Sequence, residues 1–318
     1  MRILSFDELS EAQDRSRALV SMAAFGNVFD RERVETYRRR LKCFSEYVAV
    51  FAVNRDDVLG QVFVLRLPFE FPDGSGQISA IASVGTRPDV GRTGVAETLL
   101  REVHHREREA GLRVAALWTN RSWGAHHLYE KIGYRDVYSP PWVVRLPSSR
   151  RPPKPPIRFA TPADLDGIER LHRQLARERL GHRERPAGWL RVDAQLGYVD
   201  PATDLLVRRE GRELVGYAHL DRTGRRIICG ELLATSTEVT RELIAGVAWA
   251  AHPLPWAFQH TLVTDNPLML REPASVHGRL GWYVMMGCDL SRDWTVREAE
   301  ERFGTRDSRF ICLAGDRF

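Results

Sequence analysis

The chain has 318 residues, 43 % hydrophobic and 28 % charged, a globular balance that excludes a disordered tail protein, a collagen-like fibre and a membrane bundle. No run of about 18 apolar residues occurs, and residues 1–30 lack the basic, apolar, small-residue order of a secretory signal, so a soluble cytoplasmic protein with no membrane partner is expected. The net charge of +5 is spread evenly, 22 basic against 19 acidic residues up to position 150 and 25 against 23 beyond it; without a basic arm or stripe, nucleic acid is not an expected partner.

In chain order, Arg2–Leu4 reads as a strand, and Ser5 or Asp7 can cap a helix running to about Ala24. A second helix is expected from Arg31 to Phe44. Tyr47–Val53 and Val58–Leu67 are apolar, β-branched runs joined at Asn54–Asp57, a hairpin pattern, and a third strand spans Gln77 to about Thr86. The period then changes: Val95, Leu99 and Val103 recur at helical spacing until Gly111. Val114–Thr119 reads as a strand, Ser122–Ile132 as a helix and Tyr134–Leu146 as a closing strand. An antiparallel meander followed by β-α-β crossovers is a mixed α/β order.

Five prolines in residues 147–156 favour an extended linker between units at 1–146 and 157–318. The second unit begins alike, with strand Ile157–Phe159, a helix start at Thr161-Pro162 and the apolar face Leu165, Ile168, Leu171, Leu175. Leu205–Arg208 and Leu214–His219 form a hairpin, Arg226–Leu233 a strand, Ser236–Ala251 a helix, Phe258–Thr264 a strand and Ala274–Leu280 a short helix. The stretch Leu128-Tyr-Glu-Lys-Ile-Gly-Tyr134 aligns with Val276-His-Gly-Arg-Leu-Gly-Trp282, which suggests a duplication.

Residues 88–100 link a strand to a helix through Gly91 and Gly94. At such a junction the free N–H groups of the first helical turn carry the positive end of the dipole and suit a phosphate, although a plain strand–helix turn reads the same way. The nucleotide loop G-x-x-x-x-G-K-[ST] is absent, and G-x-x-G falls short of the dinucleotide fingerprint. Four separated cysteines, Cys43, Cys229, Cys288 and Cys312, form no C-x-x-C pair or zinc-spaced cluster, so reduced thiols and no metal are expected. His126 and His127 are about 100° apart on a helix and are not expected to grip a metal jointly; one should face the cleft and the other water. His104 and His105 read as a solvated helical face.

The loop Gly91-Arg92-Thr93-Gly94-Val95-Ala96, with the Leu128–Tyr134 element about 30 residues later, resembles the GNAT superfamily of acyl-CoA-dependent N-acyltransferases over residues 1–146. The resemblance implies two tandem GNAT-like domains, each a mixed, mostly antiparallel sheet flanked by helices, with acetyl-CoA as co-substrate. It implies that the backbone of Val84, Gly85 and Thr86 pairs with the pantetheine arm, that the N–H groups of Arg92 to Ala96 cradle the pyrophosphate, and that Tyr129 protonates the departing thiolate. Gly91 stands where the family usually has Arg or Gln, and Arg92 is the nearest charge. Ser122 stands where the family often has Asn, with Asn120 as an alternative ligand contact.

Several members of the family place a carboxylate on the strand before the loop, yet Gln77–Val84 holds none; Glu70, Asp30, Glu32 and Glu46 are alternatives, as are a water or no base at all, and the resemblance to one tandem branch implies the terminal carboxylate, here that of Phe318. The second copy has no glycine across Leu232–Arg241, carries Glu238 there, and has His277 at the tyrosine position; it reads as degenerate, a structural wall, part of the acceptor pocket or a homodimer surface. The reading is an N-acetyltransferase acting on a primary amine of a small molecule by direct attack. A non-catalytic acyl-CoA-binding module and a peptide-amine acetyltransferase are the alternatives. The plan is similar to that of mycothiol synthase-like and enhanced-intracellular-survival-like tandem enzymes, although in the former the second copy is the active one.

Overall fold

A computed structural model of the protein describes residues 1–26, 46–140, 142–147, 149–181, 185–223, 225–258, 275–278 and 283–311, together with 32, 36, 39 and 40. Strand β1 (Arg2–Ser5) pairs antiparallel with β2 (Glu46–Asn54). Between them lies α1 (Glu11–Phe25). Its cap is Ser10, not Ser5 or Asp7: Ser10 Oγ accepts from Gln13 N at 3.3 Å and Gln13 Oε1 accepts from Ser10 N at 2.9 Å, while Ser5 closes a short turn over Phe6–Glu8. The helix expected over 31–44 lies outside the described residues apart from the four isolated positions.

Strands β2, β3 (Asp57–Phe71) and β4 (Gly74–Thr86) form the antiparallel meander, and β5 (Val114–Asn120) runs parallel to β4. Between β4 and β5 stands α2 (Val95–Glu109), which buries Val95, Leu99, Leu100 and Val103 in one cluster with Val50, Val62 and Leu117 of the sheet. Glu107 on this helix is also buried. Its carboxylate accepts from Arg66 Nη2 at 2.9 Å and from Ser79 Oγ at 2.9 Å, which offsets the cost of taking a charge out of water and ties α2 to β3 and β4. After β5 come α3 (Gly124–Lys131) and β6 (Arg135–Tyr138).

The closing strand expected over Tyr134–Leu146 is two strands. The Pro140-Pro141 pair cannot donate to a ladder and ends β6, and β7 (Trp142–Arg145) then leaves the first sheet altogether. The second sheet is built from β8 (Arg158–Phe159), β9 (Leu205–Glu210), β10 (Glu213–Thr223), β11 (Arg226–Ala234), β12 (Trp256–Phe258) and β13 (Ser275–Gly278), with β7 inserted between β12 and β13. Helices α4 (Leu165–Ala176), α5 (Trp189–Gln195), α6 (Pro201–Asp204) and α7 (Thr237–Ala251) accompany it. In return, β14 (Tyr283–Asp289) from the second half lies between β5 and β6, and α8 (Val296–Phe303) follows it. The two sheets have the same order: four antiparallel strands, one parallel step, a strand borrowed from the other half, and an edge strand.

Of the helix expected over Ala274–Leu280, the described residues 275–278 form a strand instead. Residues 275–278 pair with β7, His277 opposite Val143, so the ladder overrides local preference, and residues 276–278 lie on a strand where the aligned residues 128–130 lie on a helix. Of the expected strand Phe258–Thr264, only Phe258 is described, and it ends β12.

Strand β14 is buried on both faces: Val284, Met286 and Cys288 join the cluster under α2, whereas Met285 packs with Trp294 and Phe303 on the opposite side. Met286→Ala should cost about 2–5 kcal/mol in urea unfolding. Hydrogen exchange should show the amides of β5 and β6 losing protection with those of β14; protection retained in β5 and β6 would contradict a shared sheet.

Candidate active site

The site begins with an irregularity in β4. Two residues, Ser83 and Val84, oppose the single residue Val62 on β3, and Ser83 takes a left-handed φ of +50°. Such a bulge bends and twists the strand that carries it. Buried Gln61 supports it, its Nε2 reaching Ser83 O at 3.5 Å and Ser21 Oγ on α1 at 3.1 Å. Parallel pairing between β4 and β5 covers only Ser79–Ile81 against Ala115–Leu117, after which the strands diverge.

Val84, Gly85 and Thr86 thus present one backbone edge to β3 and the other to the opening wedge. Gly85 is needed for closeness, since a Cβ there would lie 2.9 Å from Ala24 Cβ on α1. On the other side of the wedge stand Thr119 and Asn120, both buried. Asn120 Oδ1 accepts from Ser122 N at 2.9 Å and Ser122 Oγ at 2.7 Å, which fixes the turn into α3. Ser122 does not cap that helix; the position before its first residue is Trp123.

At the end of β4 the chain makes a short turn, Pro88–Val90, then Gly91, and Arg92 with φ +63°. Gly94 has φ +87° and opens α2 with no side-chain cap, so the N–H groups of Val95 and Ala96 in the first turn are left to solvent or a ligand. A Cβ at Gly94 would meet nothing within 4 Å; the backbone angle, not space, selects glycine there. Gly91, Arg92 and Thr93 are exposed beside it. Glu97, an acid in this same turn, is neutralised by Lys131 Nζ at 2.6 Å and Arg101 at 3.0 Å, and these partners hold its carboxyl below the usual range. Lys131 belongs to the Leu128–Tyr134 element, so this ion pair joins the loop's helix to α3.

Tyr129 sits on α3, 6 % exposed, within the cluster under α2 and 5.9 Å from the Tyr134 ring. Burial pushes its phenol up to about 12. The structure brings together on one sheet end the wedge residues 84–86 and Asn120, the loop 91–96 and the helix that carries Tyr129.

Residues 9–137 match the family model described as an acetyltransferase (GNAT) domain. No curated protein matches the chain in sequence. Among solved structures, a probable N-acyltransferase from Enterococcus faecalis is similar at 14 % identity and TM-score 0.66, covering 90 % of this chain and 72 % of that one. A GCN5-related N-acetyltransferase from Anabaena variabilis has 16 % identity and TM-score 0.66 over 91 % and 73 %. A tandem GNAT protein from the clavulanic acid biosynthesis pathway has 12 % identity and TM-score 0.56 over 92 % and 100 %. These likenesses show the fold that the chain shares with those proteins across both halves.

The second GNAT-like sheet lacks the loop. Only Thr235 and Ser236 separate β11 from α7, and Ser236 Oγ accepts from Val239 N at 3.2 Å, so a side chain occupies the helix end that the first copy leaves open. Two residues beyond the last β11–β12 pair, buried Glu231 is held by Arg185 at 2.6 Å. His277 lies on β13, a strand, whereas Tyr129 lies on a helix.

Of the carboxylates considered as bases, Glu70 pairs in register with Ser75 at the far end of β4, roughly 30 Å along the strand from Val84 at about 3.3 Å per residue. That removes it. Glu32 is exposed, Glu46 heads β2, and Asp30 and Phe318 lie outside the described residues. Cys229 and Cys288 are free and buried, as expected of reduced thiols; Cys43 and Cys312 lie outside the described residues. No helix among the described residues is long and apolar enough to cross a membrane.

Two readings of histidines need correction. His126 is buried and His127 exposed, yet with Glu130 they bring one ligand atom each within 4.8 Å, so adjacency on the helix does not keep them apart. His104 is not solvated: its Nε2 lies 2.9 Å from Tyr134 Oη, and burial, reinforced by Arg101 and Arg108, lowers its pKa to about 4. The unfolded chain takes up this proton near pH 6.5. Stability should therefore be complete above about pH 6.5 and fall by about 3 kcal/mol as pH drops toward 4. Unfolding of His104→Gln across this range should show a flatter profile, and an unchanged slope would contradict the assignment.

Proposed function

We propose that the protein is an N-acetyltransferase that moves the acetyl group of acetyl-CoA to a primary amine of a small molecule by direct attack. The observation that carries the reading is the wedge between β4 and β5 next to the uncapped start of α2. An extended amide-bearing arm can add to the free edge of Val84, Gly85 and Thr86 as a strand would, and a pyrophosphate suits the N–H groups of Arg92 to Ala96 at the positive end of the helix dipole. Arg92 supplies a side-chain charge where Gly91 has none, and Asn120 and Ser122 line the opposite wall. The CoA-binding unit is residues 1–146 completed by β14; residues 147–156 are the linker, and 157–318 is the degenerate copy, which serves as structure.

The neutral amine attacks the thioester carbonyl, the C–S bond breaks, and a proton must reach sulfur. Tyr129 is the donor. A phenol with a pKa of about 12 is fully protonated at neutral pH but is a weaker acid than a thiol, so transfer runs downhill only if the proton shed by the nitrogen replaces it at once. Buried, unpaired thiols such as Cys229 and Cys288 suit a reducing cytoplasm.

Tyr129→Phe should lower turnover by about 10²- to 10⁴-fold with acetyl-CoA affinity retained, measured by thiol release and calorimetry; undiminished turnover would remove the acid. Acetyl-CoA at about 100 times its dissociation constant should stabilise the wild type by roughly 2.7 kcal/mol. Gly94→Glu, which puts a charge at the loop and a side chain at φ +87°, should abolish that shift. An equal shift in both proteins would place the cofactor elsewhere.

A further inference from the structure

One cluster on α3 is not used by the proposed transfer. His126 and Glu130 are four residues apart and share a face of the helix, with His126 Nδ1 3.6 Å from Glu130 Oε2. His127 Nδ1 lies 3.1 Å from the same oxygen. Two imidazole nitrogens converge on one carboxylate, and all three ligand atoms fall within 4.8 Å of one another.

We propose that His126, His127 and Glu130 form a surface site for a zinc-class divalent ion (Zn²⁺, Co²⁺ or Ni²⁺), with Asp136 as the residue that positions His126. Ligands about 2.0–2.2 Å from a tetrahedral ion stand about 3.4 Å apart, and the two distances to Glu130 bracket that edge. The His127 side chain is 82 % exposed, so its ring is free to close the remaining gap and an open fourth position faces solvent.

The second observation is the support behind His126. This buried imidazole has Nε2 2.9 Å from Asp136 Oδ1, Asp136 Oδ2 accepts from Arg121 Nε at 2.8 Å, and Arg121 Nη1 donates to Ser139 Oγ at 2.9 Å. With the Nε2 proton given to Asp136, the Nδ1 lone pair points to the cluster, which is the carboxylate–imidazole–ion relay that sets tautomer and ring orientation in metal sites. Two imidazoles and one carboxylate select zinc-class ions over calcium or magnesium, which take oxygen. Tyr129 lies on the same helix but in the core, so the ion would staple the turn around it without touching it.

The test is calorimetric titration of the untagged, EDTA-treated chain with ZnCl₂. One ion per chain is expected, with affinity weakened at least about tenfold in His127→Ala and about 10- to 100-fold in Asp136→Asn, and unchanged in His105→Ala, a surface histidine on α2. His127 is exposed, so its loss should leave the metal-free unfolding temperature unaltered. No one-to-one binding, or binding that survives in His127→Ala, would overturn the site. Unaltered affinity in Asp136→Asn alone would overturn the positioning role.

Discussion

A parallel strand pair that stops after three residues is the constraint on which the rest of the structure turns. Unpaired backbone groups inside a sheet are costly, so β4 and β5 diverge only because something imposes it. The Ser83–Val84 bulge, propped by Gln61 and Ser21, bends β4 away, and close approach of α1 at Gly85 holds it there. The bent strand delivers the chain into the Pro88–Gly94 turn with the first N–H groups of α2 pointing outward. One deformation thus yields both an edge for an extended ligand and a dipole for its phosphates.

The exchanged strands make the two halves a single mechanical object. Met285 and Met286 of β14 lie in clusters on opposite faces of the first sheet, and β7 is held between β12 and β13 in the second. The first sheet is incomplete without β14, the strand that the second half supplies. The contrast at the helix starts is physical: Gly94 leaves the α2 dipole open, whereas Ser236 closes that of α7 with its own hydroxyl.

Much of the loop and of α3 was legible in the sequence, because a left-handed Gly94 and the Leu128–Tyr134 element act through local backbone geometry. The meander was legible for the same reason, from alternation and turn residues. The partner of β7 was not: Trp-Val-Val-Arg has the same pattern whichever sheet it joins, and only distant β12 and β13 decide. Nor could residues 275–278 be read as a strand while their ladder partner was unknown. The bulge at Ser83 carries no glycine to mark it, and the convergence of His126 and His127 depends on side-chain rotation, which periodicity does not encode. His104 was misread because its neighbours Arg101 and Arg108 suggested a wet face, whereas its ring meets Tyr134 from the far end of the motif.

The central claim is that a ligand arm adds to β4 while its phosphates sit at the start of α2, and hydrogen–deuterium exchange with and without acetyl-CoA tests it most directly. The account predicts added protection of the amides of Val84–Thr86 and Arg92–Ala96, with no change across Leu232–Arg241 in the second copy. Protection confined to the second copy, or none in either segment of the first, would contradict it.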